Sequence, residues 1–450
     1  MQFIKKIIDD PLSRRVLRNS SYLFSSNTIA SAFGVLQGIF VFRLLGDAGA
    51  GLLAVVMDFP SNVNRLLSFR MSEVTVKYMG EALAQDDKPR AAALVKGIGL
   101  AEALTSVLAY SVLFLLAAWG AQTFADEYPV LSIVPLFRFY GLFLLANLVY
   151  ETSVGVLQAT DNFKRVALAN FYQSITLTIL ISAVFLAHLF KFADWDITGI
   201  LTAYFLGKTV AAFIITGSAL RELKDKLGHD WTRVPLKLVP DWKPILRFAF
   251  STNLNGTVNL FARDNIRLYL AALLSTSAVG YFKLASTLIN LIMLPLEPFI
   301  WPTYAEITKT IAQRQWDITR SLLKRVSTIG AAWTLLAGGG LAAIGWWLIP
   351  FMYGADMSPA YPAFLILLIG YGVANIANWN RPLLLALGKP QLPLLISGIV
   401  GAIEVALIFL LVPSGGYLVA AAIVAGYFVI SISWTVIFGL RIMKREEAIA

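Results

Sequence analysis

The sequence predicts an all-α polytopic membrane protein, with twelve transmembrane helices in two six-helix lobes. Three observations carry this. The 450 residues are 58% hydrophobic, with a mean hydropathy of +0.70. Only 14% are Asp, Glu, Lys or Arg, against roughly 25% in soluble domains, and a soluble fold has too little interior to hide so much apolar matter. Third, the basic residues sort onto one side when the apolar stretches are laid alternately across a bilayer.

Those stretches fall at about 20–43, 48–69, 92–119, 129–157, 166–190, 196–220, 243–273, 276–300, 322–349, 360–386, 390–413 and 416–440. Each is long enough to cross some 30 Å of hydrocarbon. Twenty-seven Lys and Arg residues lie at the N-terminus, at the C-terminus and in or beside the even-numbered connections, counting Lys243, Arg247, Lys324 and Arg325 at the very starts of the seventh and ninth spans, and Lys191 alone lies in an odd connection. Basic loops stay cytoplasmic, so both termini are expected inside, in the cell (cytoplasmic) membrane. A missed or invented helix would scramble that alternation. The net charge of +10 is then a matter of topology and of attraction to anionic inner-leaflet lipid, and no nucleic acid partner is required.

The catalytic inventory is nearly empty, and no enzyme is expected. There is no Cys, which excludes disulfides, thiolate metal sites and cysteine nucleophiles. His188 and His229 lie in different segments and read as interfacial and loop residues. No HExxH, Walker A or GxSxG signature is present, and no cofactor or metal is expected. The residues before Asn19 are polar, with no small-residue cleavage site, so the first span is expected to stay in place and target the chain. The odd-numbered connections are short, leaving no room for an external catalytic domain.

The two longer inward connections before the third and ninth spans read as amphipathic elbows on the membrane surface. Val76, Met79 and Leu83 lie opposite Lys77, Glu81 and Gln85, and Ile307, Ile311, Ile318 and Leu322 recur at helical spacing. The matching elbows suggest an internal repeat. Tyr22-Leu-Phe-Ser-Ser-Asn27 opens the first span as Phe248-Ala-Phe-Ser-Thr-Asn253 opens the seventh, and Gly51 begins the second as Gly280 begins the eighth. Halves with an even number of spans repeat in parallel, about a pseudo-two-fold along the membrane normal. The expected organisation is an N-terminal lobe over 1–220, a cytoplasmic linker over 221–242 and a C-terminal lobe over 243–450.

Beyond the twenty-eight already counted, nine basic residues fall in or at the edges of spans: Arg43, Arg65, Lys96, Arg138, Lys208, Arg263, Arg267, Lys283 and Arg381. Asp58, Glu102, Glu151, Asp264, Glu297 and Glu404 are the carboxylates in similar places. At about 2.5–3.5 kcal/mol each, fifteen such groups facing lipid would cost on the order of 40 kcal/mol, far above the roughly 5–15 kcal/mol that holds a protein folded. Arg43, Lys96, Glu151 and Arg381 are near enough to helix ends to snorkel. The others must be paired or line a hydrated cavity. Asn255, Asn259, Arg263 and Arg267 climb the seventh span at intervals of four, a broad stripe about 18 Å long. Lys283, Thr287, Asn290 and Glu297 mark the eighth span, Asp58, Asn62 and Arg65 the second, and Asn375, Asn378 and Arg381 the tenth. Interhelical hydrogen bonds and buried ion pairs are the structural alternative. The excess of cations over carboxylates favours a central cavity visited by an anion, with Arg suited to phosphate. Pro60, Pro135 and Pro382 interrupt the second, fourth and tenth spans, and Pro295, Pro298 and Pro302 crowd the end of the eighth, as hinges or as static kinks.

The chain resembles the polysaccharide transporter branch, the O-antigen (Wzx-type) flippases, of the multidrug/oligosaccharidyl-lipid/polysaccharide (MOP) exporter superfamily. The resemblance runs over essentially the whole chain. It rests on the order and spacing of Phe40-Val-Phe-Arg-Leu-Leu-Gly46, Gly51-Leu-Leu, Asp264 upstream of Val279-Gly-Tyr-Phe282, and the turn Gly388-Lys-Pro390. It implies alternating-access transport of a lipid-linked (polyprenyl-pyrophosphate) oligosaccharide from the inner to the outer leaflet. The pathway's glycan polymerase and glycosyltransferases are then the implied protein partners. It also implies coupling to H+ or Na+, for which Asp58, Asp264 and Glu404 are the candidates. The expected headgroup contacts are Arg65, Arg138, Lys208, Asn259, Arg263, Arg267, Lys283 and Arg381. The two extra C-terminal spans of the lipid II flippase branch are absent, which disfavours that substrate. A cation-coupled multidrug exporter of the same fold is the alternative, and a positive chamber opposes it. A membrane glycan polymerase would need a large external loop.

Overall fold

The computed structural model describes residues 11–68, 71–192, 195–260, 265–389 and 391–449, all of it helix, turn or irregular chain without a strand. The first helix, α1 (Pro11–Leu67), counts 57 residues. As one straight rod it would be about 85 Å long, nearly three times the hydrocarbon thickness. It is broken at Gly46 (φ 66°, ψ −167°), a conformation that side chains other than hydrogen rarely adopt. The last helix, α17 (Gln391–Ile449), breaks in the same way at Gly416 (φ 72°, ψ −171°). Each therefore holds two crossings.

Between them run α2 (Met71–Ala84), α3 (Lys88–Phe124), α4 (Val130–Gly141), α5 (Phe143–Ala146), α6 (Tyr150–Ala159), α7 (Phe163–Leu189) and α8 (Ile197–Leu227). They are followed by α9 (Lys243–Asn259), α10 (Ile266–Leu273), α11 (Thr276–Met293), α12 (Ile300–Ala312), α13 (Trp316–Trp333), α14 (Gly339–Tyr353), α15 (Ala360–Ile376) and α16 (Asn380–Ala386). Among the described residues, nine helical stretches are long and apolar enough to cross a membrane, and two of these are the double crossings. The expected seventh span, to which α9 and α10 belong, runs over residues 261–264, which lie outside the described ones.

Contacts divide the chain into two compact units, Met1–Leu44 with Val56–Leu260, and Leu45–Val55 with Phe261–Ala450. In the first unit α2 packs on α3 and α6 and buries Met71, Val74, Thr75, Met79 and Ala82. Gly155 on α6 admits it: a Cβ there would lie 2.6 Å from the Thr75 Cβ and 2.8 Å from the Ser72 carbonyl oxygen. The buried stripe is rotated from the expected one, leaving Val76 exposed beside Lys77, Glu81 and Gln85, because this helix seats on protein. The 221–242 connection also belongs to this unit. Trp231 and Val239 enter its core, and Lys96 Nζ donates to the Val234 carbonyl at 3.3 Å.

In the second unit, Leu45–Val55 lies against α11. A Cβ at Gly51 would collide with the Thr276 carbonyl, and one at Gly280 with that of Asp47. The two glycines that the repeat pairs thus pack against each other at a backbone contact. The Tyr281 hydroxyl donates to Asp47 Oδ2 at 2.5 Å beside it. A close approach also joins α15 to α17, where a Cβ at Gly370 would lie 2.7 Å from the Ala425 carbonyl oxygen. Ile307 of α12 is fully buried, but Ile318 is 53% exposed. The positive φ of Arg314 (55°) separates α12 from α13, so the four isoleucine and leucine positions do not share one face.

The units repeat the same sequence of elements and even the same backbone irregularities. Positive φ recurs at Asp86 and Arg314, at Asp161 and Gly388, and at Lys191 and Gly416, each pair separated by nearly the same number of residues. The turns at 147–149 and 377–379, before α6 and α16, match likewise.

Gly51→Val or Gly280→Val should cost at least about 1–3 kcal/mol, since backbone has to move, whereas Gly34→Ala, with open space around it, should be tolerated. Melting temperatures of the purified variants in detergent check this, and equal values for all three would refute the contact.

Candidate functional site

In the first unit the fourth span is discontinuous. After α4 come the single turn of α5, a non-helical turn at 147–149, and α6. The break frees backbone groups where water is scarce, and such groups must be completed by protein or by a hydrated cavity. Val149 supplies no side-chain cap to α6. Glu102 of α3, only 3% exposed, does so from across the bundle. Its Oε1 accepts the Glu151 N–H at 2.8 Å, and its Oε2 accepts the Thr152 N–H at 2.8 Å and the Thr152 hydroxyl at 2.5 Å. An ionised carboxylate at a helix N-terminus is favoured both by the dipole and by charge-assisted hydrogen bonds.

Beside this junction lies a cavity of about 240 Å³. Asn64 and Ser68 line it from the end of α1, Glu102 and Ser106 from α3, and Leu144, Asn147, Tyr150 and Glu151 from the broken span. Gln173 of α7 and Lys208 and Ala211 of α8 complete the wall. All but Leu144 and Ala211 are polar, whereas ligand pockets are usually mostly apolar. The amide oxygens of Asn64 and Asn147 are buried and, among the described residues, accept no hydrogen bond. Glu151 accepts the Ser72 hydroxyl at 2.6 Å. The wall therefore offers unused acceptors, hydroxyls and one cation.

That cation is Lys208. Its ammonium stands 3.8 Å from the Phe143 ring centroid and 5.2 Å from that of Tyr140. Among the described residues it makes no hydrogen bond and no ion pair, and Asp58 acts on it only electrostatically. Ring faces attract an ammonium without consuming its three N–H donors.

Of the expected headgroup residues whose side chains are described, only Lys208 lines this cavity. Arg138 instead lays its guanidinium 3.7 Å from the Phe114 ring centroid and donates to the Phe114 carbonyl at 3.3 Å. Arg65 is exposed near the end of α1, and Asp58 is half-buried on the same helix. In the second unit Arg267 and Lys283 are half-buried, Arg381 is exposed, and Glu404 is 2% exposed. Arg263 and Asp264 lie outside the described residues, as does the side chain of Asn259. The cavity residues not expected from sequence are Asn64, Ser68, Ser106, Asn147, Tyr150 and Gln173, together with Glu102 and Glu151 in their roles here. Glu102 and Ser106, four apart on α3, were the available signal. The others face one another only because the fourth span breaks.

Residues 16–304 match the family described as polysaccharide biosynthesis protein. No curated protein sequence matches the chain. Among solved structures, a multidrug resistance MATE family transporter of the MOP superfamily, inward-facing, superposes with a TM-score of 0.71 at 13% identity, over 93% of this chain and 96% of its own. The lipid II flippase MurJ, inward closed, gives 0.70 at 15% identity over 95% and 90%. A MOP superfamily transporter from Pyrococcus furiosus, with a binding pocket of reversed polarity, gives 0.66 at 13% over 98% and 97%. At these identities the likeness is one of fold.

Lys208→Met keeps the length of the side chain and removes its charge. The fold should be unharmed or stabilised by up to about 2 kcal/mol, since desolvation of an unpaired ammonium outweighs its cation–π contacts. Thermal melting of the purified variant is the check, and a marked fall would mean that the ammonium is satisfied internally.

Proposed function

We propose that this chain, which belongs to the family of polysaccharide biosynthesis proteins, flips a lipid-linked, polyprenyl-pyrophosphate oligosaccharide from the inner to the outer leaflet. The observation that carries the reading is the Lys208 ammonium, which among the described residues makes no hydrogen bond or ion pair, in a wall of amides and hydroxyls. A sugar headgroup presents hydroxyls that the Asn64 and Asn147 oxygens can accept, and its phosphate is a partner for the ammonium. The polyprenyl tail stays in lipid, where it needs no protein cavity. The chain is a multi-pass membrane transporter and not an enzyme. Its residence in the cell membrane with both termini cytoplasmic, its movement by alternating access and its drive by a proton or sodium gradient are part of the proposal. Glycosyltransferases and a glycan polymerase of the same pathway would supply and consume the lipid-linked glycan.

A second reading, cation-coupled drug export, is favoured by the Glu102 and Glu151 carboxylates in the wall. Both already accept hydrogen bonds, and Lys208 opposes a cationic guest. In a host deprived of its own flippase, the wild type should restore surface glycan, while Lys208→Met should lower the restoration about tenfold or more, the loss of one charged hydrogen bond. Full restoration by this variant would remove Lys208 from the site. Resistance to toxic organic cations without glycan restoration would establish the drug-export reading instead.

A further inference from the structure

We infer that Glu102 is the positioning residue of this cavity. By capping α6 it holds the turn at 147–149 and the first residues of α6 in one wall, so that Asn147, Tyr150 and Glu151 face Lys208. The inference rests on the reading that the cavity takes the headgroup. Three observations carry it.

The first is the completeness of the bond set. Both oxygens of Glu102 are engaged, and both backbone donors come from consecutive residues at the helix start. The cap is supplied by another helix and not by the residue that precedes α6, so it fixes α6 relative to α3 as well as ending it. The second is place. Glu102 and Glu151 are both in the cavity wall, and any displacement of α6 moves the wall.

The third is the other half of the repeat, which makes the same break without this device. The starts of α3 and α13, Lys88 and Trp316, align Glu102 with Gly330. A Cβ at Gly330 would lie 2.6 Å from the Asn375 carbonyl oxygen, so backbone packs directly where the first unit places a carboxylate. The third residue of α16, in the position of Thr152, is Pro382, which has no N–H to be capped. A break of this kind therefore forms without a buried acid. A carboxylate retained at one of two equivalent breaks, the one beside the polar cavity, points to service of that cavity and not to a general need of the fold.

The chain has no cysteine, so Asn147→Cys introduces a single thiol into the wall. Its labelling rate by N-ethylmaleimide is measured in the full-length protein, with Glu102, with Glu102→Gln and with Glu102→Ala. In parallel, the Glu102 variants without the thiol are reconstituted in vesicles with a fluorescent polyprenyl-pyrophosphate N-acetylhexosamine as probe. Removing the acceptor should change the labelling rate about tenfold and raise the half-saturating probe concentration by a similar factor at little changed maximal rate. Glu102→Gln keeps one acceptor oxygen and should be intermediate in both. Should Glu102→Ala not purify as a folded species, Glu102→Gln decides by itself. Labelling unchanged from wild type in a folded variant would overturn the inference, as would a loss confined to the maximal rate. A wild type that does not move the probe would sink the headgroup reading alone, because the labelling arm still reports on Glu102.

Discussion

Within hydrocarbon a backbone N–H or carbonyl has no water to turn to, and every interruption of a helix must be completed by something else in the chain. The fourth and tenth spans of this protein are both interrupted, at 147–149 and 377–379, and much of what surrounds them follows from how that demand is met. At the first break a carboxylate reaches over from α3 to take two N–H groups and a hydroxyl. At the second, the Asn380 amide donates to the Ala377 carbonyl at 2.7 Å and the Trp379 indole to the Ser327 hydroxyl at 2.7 Å, while Pro382 presents no donor at all. One backbone shape is thus completed by two different chemistries. The carboxyl cap leaves a polar lining beside it, and the other solution leaves a closely packed contact.

That divergence fits a duplicated architecture in which shape is retained more strictly than composition. Left-handed backbone recurs at matched turns although the residues there differ, Asp86 against Arg314, Asp161 against Gly388 and Lys191 against Gly416. A turn of this kind costs a non-glycine residue some strain, of order 1 kcal/mol, which the packing of the helices on either side can hold. Buried acids and amides are under a different constraint, because each needs a specific partner. At the matching break the acid is absent and so is one of the two backbone donors it would serve, as Gly330 and Pro382 jointly show. Polar groups that persist in one half alone mark where the halves have taken up different work.

The spans, the sorting of basic residues onto alternate connections and the repeat were legible in the sequence because each depends on local quantities. Hydropathy over twenty residues does not need to know its neighbours, and Gly51 and Gly280 stand out by position alone. The breaks were legible only in part. Pro382 signalled the tenth, but the fourth breaks well after Pro135, where Asn147-Leu-Val carries no strong turn signal. The faces of α2 and of the α12–α13 pair were misjudged for a related reason. Val76 and Ile318 satisfy a helical period, but α2 turns toward Gly155, and the turn at Arg314 resets the register. Among the embedded charges, sequence could count the excess of cations but not locate it. Arg138 and Lys208 look alike in a hydropathy plot. One of them is occupied by the Phe114 carbonyl and ring, while the other keeps its three donors free of hydrogen bonds over two aromatic faces.

The size and chemistry of the cavity bear on what it can discriminate. At about 240 Å³ it is smaller than the roughly 300–1,000 Å³ of most small-molecule sites, and its wall is more polar than theirs. A drug exporter depends on apolar contact, which is forgiving of shape, and two wall residues out of eleven could supply it here. A lipid-linked glycan brings its apolar part to the membrane separately, so its protein site has only to grip a polar fragment at the junction of sugar and phosphate. Walls with unmet acceptors select sharply for that purpose. A guest without hydroxyls would leave the Asn64 and Asn147 oxygens buried and unpaired, at about 1–3 kcal/mol each, whereas adding or removing a methylene in an apolar pocket changes affinity far less decisively. On the proposed function, then, selection rests less on the number of cations in the membrane than on how many buried polar groups only a sugar can satisfy. It is for that count that the rigidity of the Asn147 turn, and of the carboxylate behind it, matters.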